Sequence, residues 1–365
     1  MRRKEPAPGL VTVKELATEQ LQTERCKTEE IEMNRTRKIL IMAFLGLLTM
    51  ALYLHTPVMA GEISAQASSA VSKAASQKKD GLHKINGKYY YYENGKKLKN
   101  QWKDVIIKRS TGDLVRRYYF KSNGAAVTHW IRLDGYTYVF NTVGMLRKSS
   151  VNKLFTVGNY QYCPDKYGRC QTGWLIVGGK LYFANSLGRI VKDRTVSGVT
   201  FKGSQMVNNT VGQLKLRQMQ VVRSLTNDSM SKRDKLYACW TWLTSKSNFS
   251  YIVRDLDLND PLWPKISALN MLNTHMGDCI SFSCAFAAMA SELGYKPTLI
   301  YGRVPGSVDG AADGFTTHCW VLINGQFYDP EGQFAGWNQG VFGLSSYPFA
   351  YQVTRYVDFA TGKTL

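Results

Sequence analysis

Gly277-Asp278-Cys279-Ile280-Ser281-Phe282-Ser283-Cys284-Ala285-Phe286-Ala287-Ala288-Met289-Ala290-Ser291-Glu292-Leu293-Gly294 reads as one helix with a cysteine in its first turn. Apolar residues at Ile280, Ala287, Met289, Ala290 and Leu293 recur at helical spacing, Asp278 stands at the cap position, and Gly294 supplies the stop. The start of a helix offers unpaired backbone N–H groups and the positive end of the dipole. A thiol there is expected to ionise below its ordinary pKa of about 8.5, which makes Cys279 the candidate nucleophile.

Downstream, Thr317-His318-Cys319-Trp320-Val321-Leu322-Ile323 reads as a strand, Asn324-Gly325 as a tight hairpin turn, and Gln326-Phe327-Tyr328-Asp329-Pro330 as the start of the return strand. With Asn324-Gly325 as a two-residue turn, residues whose numbers sum to 649 face each other. His318 then opposes Glu331, and Asp329 opposes Trp320, one diagonal step from the histidine. A carboxylate within reach of an imidazole is what a nucleophile, base and orienter arrangement requires.

Cys279, His318 and Asp329, in that order on helix, strand and strand, resemble the catalytic triad of the transglutaminase-like superfamily. The similarity extends to the helix around Lys235-Leu236-Tyr237-Ala238-Cys239-Trp240-Thr241-Trp242, to Phe249-Ser250-Tyr251 beyond it, and to the strand Pro297-Thr298-Leu299-Ile300-Tyr301-Gly302. It covers roughly residues 220 to 345. The resemblance implies an α+β papain-like domain, with the cysteine helix packed on an antiparallel sheet, over residues 207–365. It also implies acyl transfer through a thioester, with Cys279 as nucleophile, His318 as base and Asp329 as orienter.

In the first part of the chain, Ile39 to Leu54 is an almost unbroken apolar run, preceded by Arg35, Arg37 and Lys38 and followed by Val58-Met59-Ala60. That is a secretory signal pattern, too short to span a bilayer comfortably. Residues 33–60 are therefore assigned as a signal peptide, with translation starting at Met33 and residues 1–32 as a mis-called extension. A membrane contact is expected only if the apolar segment is retained as an anchor. Residues 61–80, rich in Ala, Ser, Gln and Lys, read as a flexible linker.

From residue 81 to 206 aromatic clusters recur, each followed by a turn glycine at Gly95, Gly124, Gly144, Gly168 or Gly188. Phe120, Phe140, Tyr162 and Phe183 are separated by steps of 20, 22 and 21 residues. Aromatic strands punctuated by Asn-Gly, Asp-Gly, Gly-Gly and Gly-Asn read as successive hairpins. A period near twenty suggests an all-β hairpin-repeat solenoid. These repeats resemble the cell-wall-binding repeats of Gram-positive surface proteins, the family with choline-binding and glucan-binding modules. The resemblance implies a wall polymer as partner: teichoic acid, choline or glucan. The rhythm is irregular, and Cys163-Pro164-Asp165-Lys166-Tyr167-Gly168-Arg169-Cys170 replaces the usual turn, so no cage residue is assigned.

Charge separates the two halves. Residues 80–206 carry 22 lysines and arginines against 7 acidic residues, whereas the remainder to the C-terminus is nearly balanced, within a chain of 365 residues and formal net charge +20. Such asymmetry reports on partners, and a secretory segment favours an anionic wall polymer over nucleic acid. A disulfide between Cys163 and Cys170 is plausible, whereas Cys239, Cys284 and Cys319 read as small buried hydrophobes. With five dispersed histidines and no Cys-x-x-Cys pair, neither a metal nor another cofactor is expected. His275, four residues before Cys279, is the competing base.

The expected function is that of a secreted, wall-attached cysteine acyltransferase acting on glutamine or peptide amides of a protein or peptide substrate. A catalytically silent binding protein and a cysteine peptidase are the alternatives.

Overall fold

The computed structural model describes residues 80–337 and 340–365. The assignments of an N-terminal extension, a signal peptide and nearly all of the linker fall on residues 1–79, outside the described residues. The described residues belong to one compact unit. No helix among the described residues is long and apolar enough to cross a membrane.

The first part is a succession of small antiparallel sheets: Gly81–Ile85 with Lys88–Glu93, Gln101–Ile107 with Leu114–Phe120, His129–Leu133 with Tyr136–Phe140, Phe155–Val157 with Tyr160–Tyr162, and Gly173–Val177 with Lys180–Ala184. Three of their turns have positive φ at both central residues, at Asn86-Gly87, Asp134-Gly135 (49° and 80°) and Gly178-Gly179. Each hairpin buries one aromatic face, with Tyr118, Phe120, Phe140 and Tyr162 almost fully enclosed.

A regular backbone rung ties these hairpins together. The N–H groups of Ala126, Leu146, Cys170 and Ile190 donate to the carbonyls of Tyr89, Arg117, Thr137 and Gln161 at 2.8, 2.9, 2.8 and 2.9 Å. Every donor lies just after a connecting turn in which an Asn or Asp side chain caps local N–H groups, as Asn141 does for Met145 (2.8 Å), Asp165 for Arg169 (2.9 Å) and Asn185 for Arg189 (3.0 Å). The glycine in that turn has two reasons to be there. Gly188 has φ +71°, and a Cβ on it would lie 2.6 Å from Cys170 Cβ. Gly188→Ala is expected to cost about 2 to 4 kcal/mol from strain and overpacking, read as a lowered chemical-denaturation midpoint of the chain; an unchanged midpoint contradicts the close contact. Cys163 and Cys170 are free, buried thiols. The plausible disulfide is not formed, and the thiols pack as small hydrophobes beside Val139 and Leu175.

Helices follow: α1 (Thr210–Leu225), α2 (Lys232–Leu243), α3 (Trp263–Thr274) and α4 (Cys279–Glu292). A five-stranded antiparallel sheet contains β1 (Thr298–Pro305), β2 (Phe315–Ile323), β3 (Gln326–Asp329), β4 (Val341–Leu344) and β5 (Gln352–Asp358), in the spatial order β4-β3-β2-β1-β5. A short helix, α5 (Pro330–Ala335), separates β3 from β4. Helix α1 packs on the last hairpins, with Met219 in one cluster with Leu181, Val199 and Phe201.

Helix α4 is buried along its length, every residue from Ile280 to Ala290 being enclosed, as expected of a helix that is apolar all round. It packs on α1, α2, α3 and β2. Its alanines permit close approach, while Phe282, Phe286 and Met289 each contribute about 1.5 to 3 kcal/mol through burial. Ser283 Oγ donates to the Cys319 carbonyl at 2.7 Å, fixing the helix against β2 one residue from His318. At its far end Glu292 receives Lys215 Nζ at 2.6 Å and Gln218 at 3.0 Å.

Candidate active site

Asp278 is the N-cap of α4, and its Oδ1 accepts from Ser281 N–H at 3.0 Å and Ser281 Oγ at 2.8 Å. Gly277 precedes it because a Cβ there would lie 2.3 Å from Ser281 Cβ and displace the cap. Cys279 is the first residue of the helix, so its backbone N–H has no acceptor within the helix. Met276–Gly277 pairs in parallel with Ser250–Tyr251, which brings Tyr251 beside the cysteine. Cys279 is half-buried and lines a cavity of about 270 Å³, together with His318, Glu331, Tyr251, Val308 and Trp337.

His318 comes from the middle of β2. The hairpin register pairs Val321 with Tyr328, Leu322 with Phe327 and Ile323 with Gln326, each pair summing to 649. The return strand ends at Asp329, however, because Pro330 opens α5 and Asp329 becomes its N-cap. Glu331 therefore arrives on a helix, not as a strand partner of His318. His318 Nε2 lies 2.9 Å from Asp329 Oδ2, which also accepts from Tyr347 Oη at 2.6 Å, while Oδ1 accepts from Gly332 N–H at 2.9 Å. Asp329 is wholly buried. The other ring nitrogen, Nδ1, is 3.9 Å from Glu331 Oε2. The ring packs between Trp320 and Trp337, with centroid separations of 5.8 and 5.2 Å.

The charges are mutually dependent. Burial disfavours the imidazolium, yet the Asp329 charge and the bonds to Asp329 and Cys279 hold the His318 pKa well above its usual value. Burial would raise the Asp329 carboxyl, but the His318 charge and three hydrogen bonds keep it below the usual carboxylate range. At Cys279 burial pushes the thiol up, while the hydrogen bond and charge of His318 pull it down. The lowering expected from the helix start is thus outweighed by enclosure, and the counterweight is the histidine. Among the described residues, His318, Asp329 and Glu331 offer ligand atoms within 4.8 Å of one another; both Asp329 oxygens there are engaged by the protein itself.

Glu331 has no sequence signature beyond its register position, and Tyr347 has none; both reach the site through tertiary folding. Burial, with repulsion from Asp329 and Asp278, raises the Glu331 pKa from 4.5 to about 7 against the pull of His318. Between pH 4.5 and 7 Glu331 in the folded chain holds a proton that it has lost in the unfolded chain, so its contribution to stability falls with rising pH across that window and is level above it. Glu331→Gln is expected to remove up to about 3 kcal/mol of this pH-dependent loss, measured by urea unfolding across that range; parallel pH profiles for the two proteins contradict it.

The competing base and the tryptophans around the site separate clearly. His275 ends α3 with φ +60°, its Nδ1 lies 3.1 Å from the Asn248 carbonyl, and its ring stacks on Phe249 at 4.7 Å. It is a structural residue of that corner. Trp337 lines the cavity, Trp320 lies behind His318, and Trp263 is buried in the main core. The 304–315 loop contributes Val308 to the cavity, and its Asp309 accepts from Thr317 N–H at 2.8 Å, beside His318.

Residues 219–337 match the model of the transglutaminase-like superfamily, a span that includes Cys279, His318 and Asp329. No curated protein matches the chain. Among solved structures, choline-binding protein F from Streptococcus pneumoniae is 27% identical over 35% of this chain and 40% of its own, with a TM-score of 0.26. CbpJ from Streptococcus pneumoniae TIGR4 is 23% identical over 35% of this chain and 41% of its own, TM-score 0.26. A cell wall endolysin from phage Cp-1, solved with choline, is 20% identical over 37% and 39%, TM-score 0.26. The chain therefore spans about two fifths of the length of these proteins.

Proposed function

We propose that the protein is a secreted, wall-attached cysteine acyl-transfer enzyme that acts on glutamine or peptide amides through a thioester. The supporting observation is the contact series from Cys279, at the head of a buried helix and on the cavity wall, through His318 to a buried Asp329. In this reading residues 33–60 are the signal, 61–80 the linker, 81–206 a hairpin-repeat solenoid that attaches the protein to a wall polymer, and 207–365 the papain-like catalytic domain. The basic charge and exposed aromatic rings of residues 80–206 support the attachment role.

In the first step His318 keeps or takes the Cys279 proton, the thiolate Sγ attacks the amide carbon, and the tetrahedral oxyanion accepts a hydrogen bond from the Cys279 N–H. Collapse breaks the C–N bond, and the proton on His318 passes to the departing ammonia or amine. Asp329 holds the ring orientation and stabilises its cationic form, itself held by Tyr347 and Gly332. The thioester then reacts with an amine, giving transamidation, or with water, giving hydrolysis.

The test is incubation with a glutamine-containing peptide, with and without a primary amine, followed by mass spectrometry. An amine adduct or deamidated product that disappears in Cys279→Ala supports acyl transfer. Backbone cleavage makes the protein a peptidase. No product from a folded protein favours the silent binding role, for which the raised pKa of the thiol is the specific observation.

A further inference from the structure

Two arginines occupy the same position in successive repeat units. Arg169 and Arg189 each follow the turn glycine, and their N–H groups bond the capping Asp165 and Asn185 at 2.9 and 3.0 Å. Ala125 and Met145 hold that position in the two earlier units. The Arg169 guanidinium lies 4.4 Å from the Tyr136 ring and 5.6 Å from the Tyr167 ring; that of Arg189 lies 4.1 Å from Tyr160 and 5.2 Å from Trp130. The four rings are 44, 59, 43 and 42% exposed in the order Tyr136, Tyr167, Tyr160, Trp130. These are therefore surface features.

An aromatic cage attracts a quaternary ammonium through its open ring faces. Here each pair of faces already carries a cation belonging to the protein, and a second cation would meet both a covered face and a like charge. The same arrangement suits an anion. Contact with two rings restricts each guanidinium, so less rotamer entropy remains to be lost, and its planar fork suits the two oxygens of a phosphate or carboxylate. Two such groups, 20 residues apart in successive repeat units, offer a linear polyanion two points of attachment on one chain. The surrounding hairpins, with 22 basic against 7 acidic residues over 80–206, add attraction without specificity.

We propose that Arg169 with Tyr136 and Tyr167, and Arg189 with Trp130 and Tyr160, are two successive sites for the oxyanion groups of a linear anionic polymer, and that neither is a choline site. This rests on the reading that the hairpins attach the protein to a wall polymer, and names the chemistry of that attachment.

The experiment measures binding of the full chain to poly(glycerol phosphate), to polygalacturonate and to neutral dextran at physiological salt, with millimolar choline as competitor. Binding to one or both polyanions, none to dextran and no displacement by choline is expected, the two polyanion arms deciding between phosphate and carboxylate as the source. The variant R169K/R189K keeps the charge and loses the planar fork, and is expected to bind at least fivefold more weakly. The control K192A/K202A loses two exposed positive charges outside the sites and is expected to lose less than threefold. Native-like binding by R169K/R189K, equal binding to dextran, or displacement by choline overturns the proposal. Isolated cell walls serve as a separate arm: walls that bind while R169K/R189K binds them equally well overturn the assignment of these arginines alone, whereas walls that do not bind overturn the attachment reading as well.

Discussion

Asp329→Ala is expected to destabilise the protein by about 3 to 5 kcal/mol and to abolish acyl transfer. The carboxylate is wholly buried and accepts from His318, Tyr347 and the Gly332 N–H. Its removal leaves a buried imidazole, phenol and amide donor without their acceptor, and each buried unsatisfied group costs about 1 to 3 kcal/mol. Without the Asp329 charge the imidazolium loses its largest counterweight to burial, and the His318 pKa falls. Asp329→Asn separates packing from charge: it keeps most of the shape, and the fall in activity is expected to exceed the fall in stability. The wild-type pair has opposite pH limits. His318, with a raised pKa, contributes stability that is complete below about pH 6.5 and is lost as pH rises through its folded value. Asp329, with a lowered pKa, contributes stability present above about pH 3.8 and lost as pH falls through its folded value. Denaturant midpoints across pH measure both limbs, and an Asp329→Ala protein as stable as wild type at neutral pH contradicts the buried pairing.

His318→Gln is expected to slow acylation of Cys279 by about 10² to 10⁴-fold, the usual contribution of a positioned acid or base. Glutamine retains a donor directed at Asp329 but cannot take and return a proton. The measurement is the burst of p-nitrophenolate from p-nitrophenyl acetate, with the acetyl group located at Cys279 by mass spectrometry. A burst of wild-type rate in His318→Gln removes the histidine from the chemistry.

The strands, the capped helix and the hairpin register were legible because each is written in local signals: apolar periodicity, Asp278 and Gly294 at the ends of α4, and the Asn324-Gly325 turn. The register brought His318 and Asp329 to adjoining strands, and the structure joins them at 2.9 Å. The end of β3 was less legible, because Pro330 both terminates a strand and opens a helix, so Glu331 enters from α5. Tyr347 lies beyond β4 and meets Asp329 only once the sheet is assembled. The direction of the Cys279 shift also escaped local reading. Helix position favours the thiolate, but enclosure is a property of the whole fold and prevails except where His318 opposes it. In the hairpins the turn glycines marked the units, whereas the stacking of Arg189 on Trp130 joins residues 59 positions apart in the chain and has no local signature.

The most direct measurement is the pH dependence of iodoacetamide alkylation at Cys279 in the folded protein and in His318→Ala, followed on the Cys279 peptide by mass spectrometry. Cys163, Cys170, Cys239, Cys284 and Cys319 are buried, so the half-buried Cys279 reacts before them. A thiol coupled to His318 predicts that, at any given pH, labelling of the wild-type protein falls at least tenfold in His318→Ala and that the mutant's profile is displaced to stronger alkali, since burial then acts on the thiol with the opposing histidine removed. Superimposable pH profiles for the two folded proteins would contradict the coupling and, with it, the catalytic reading of the site.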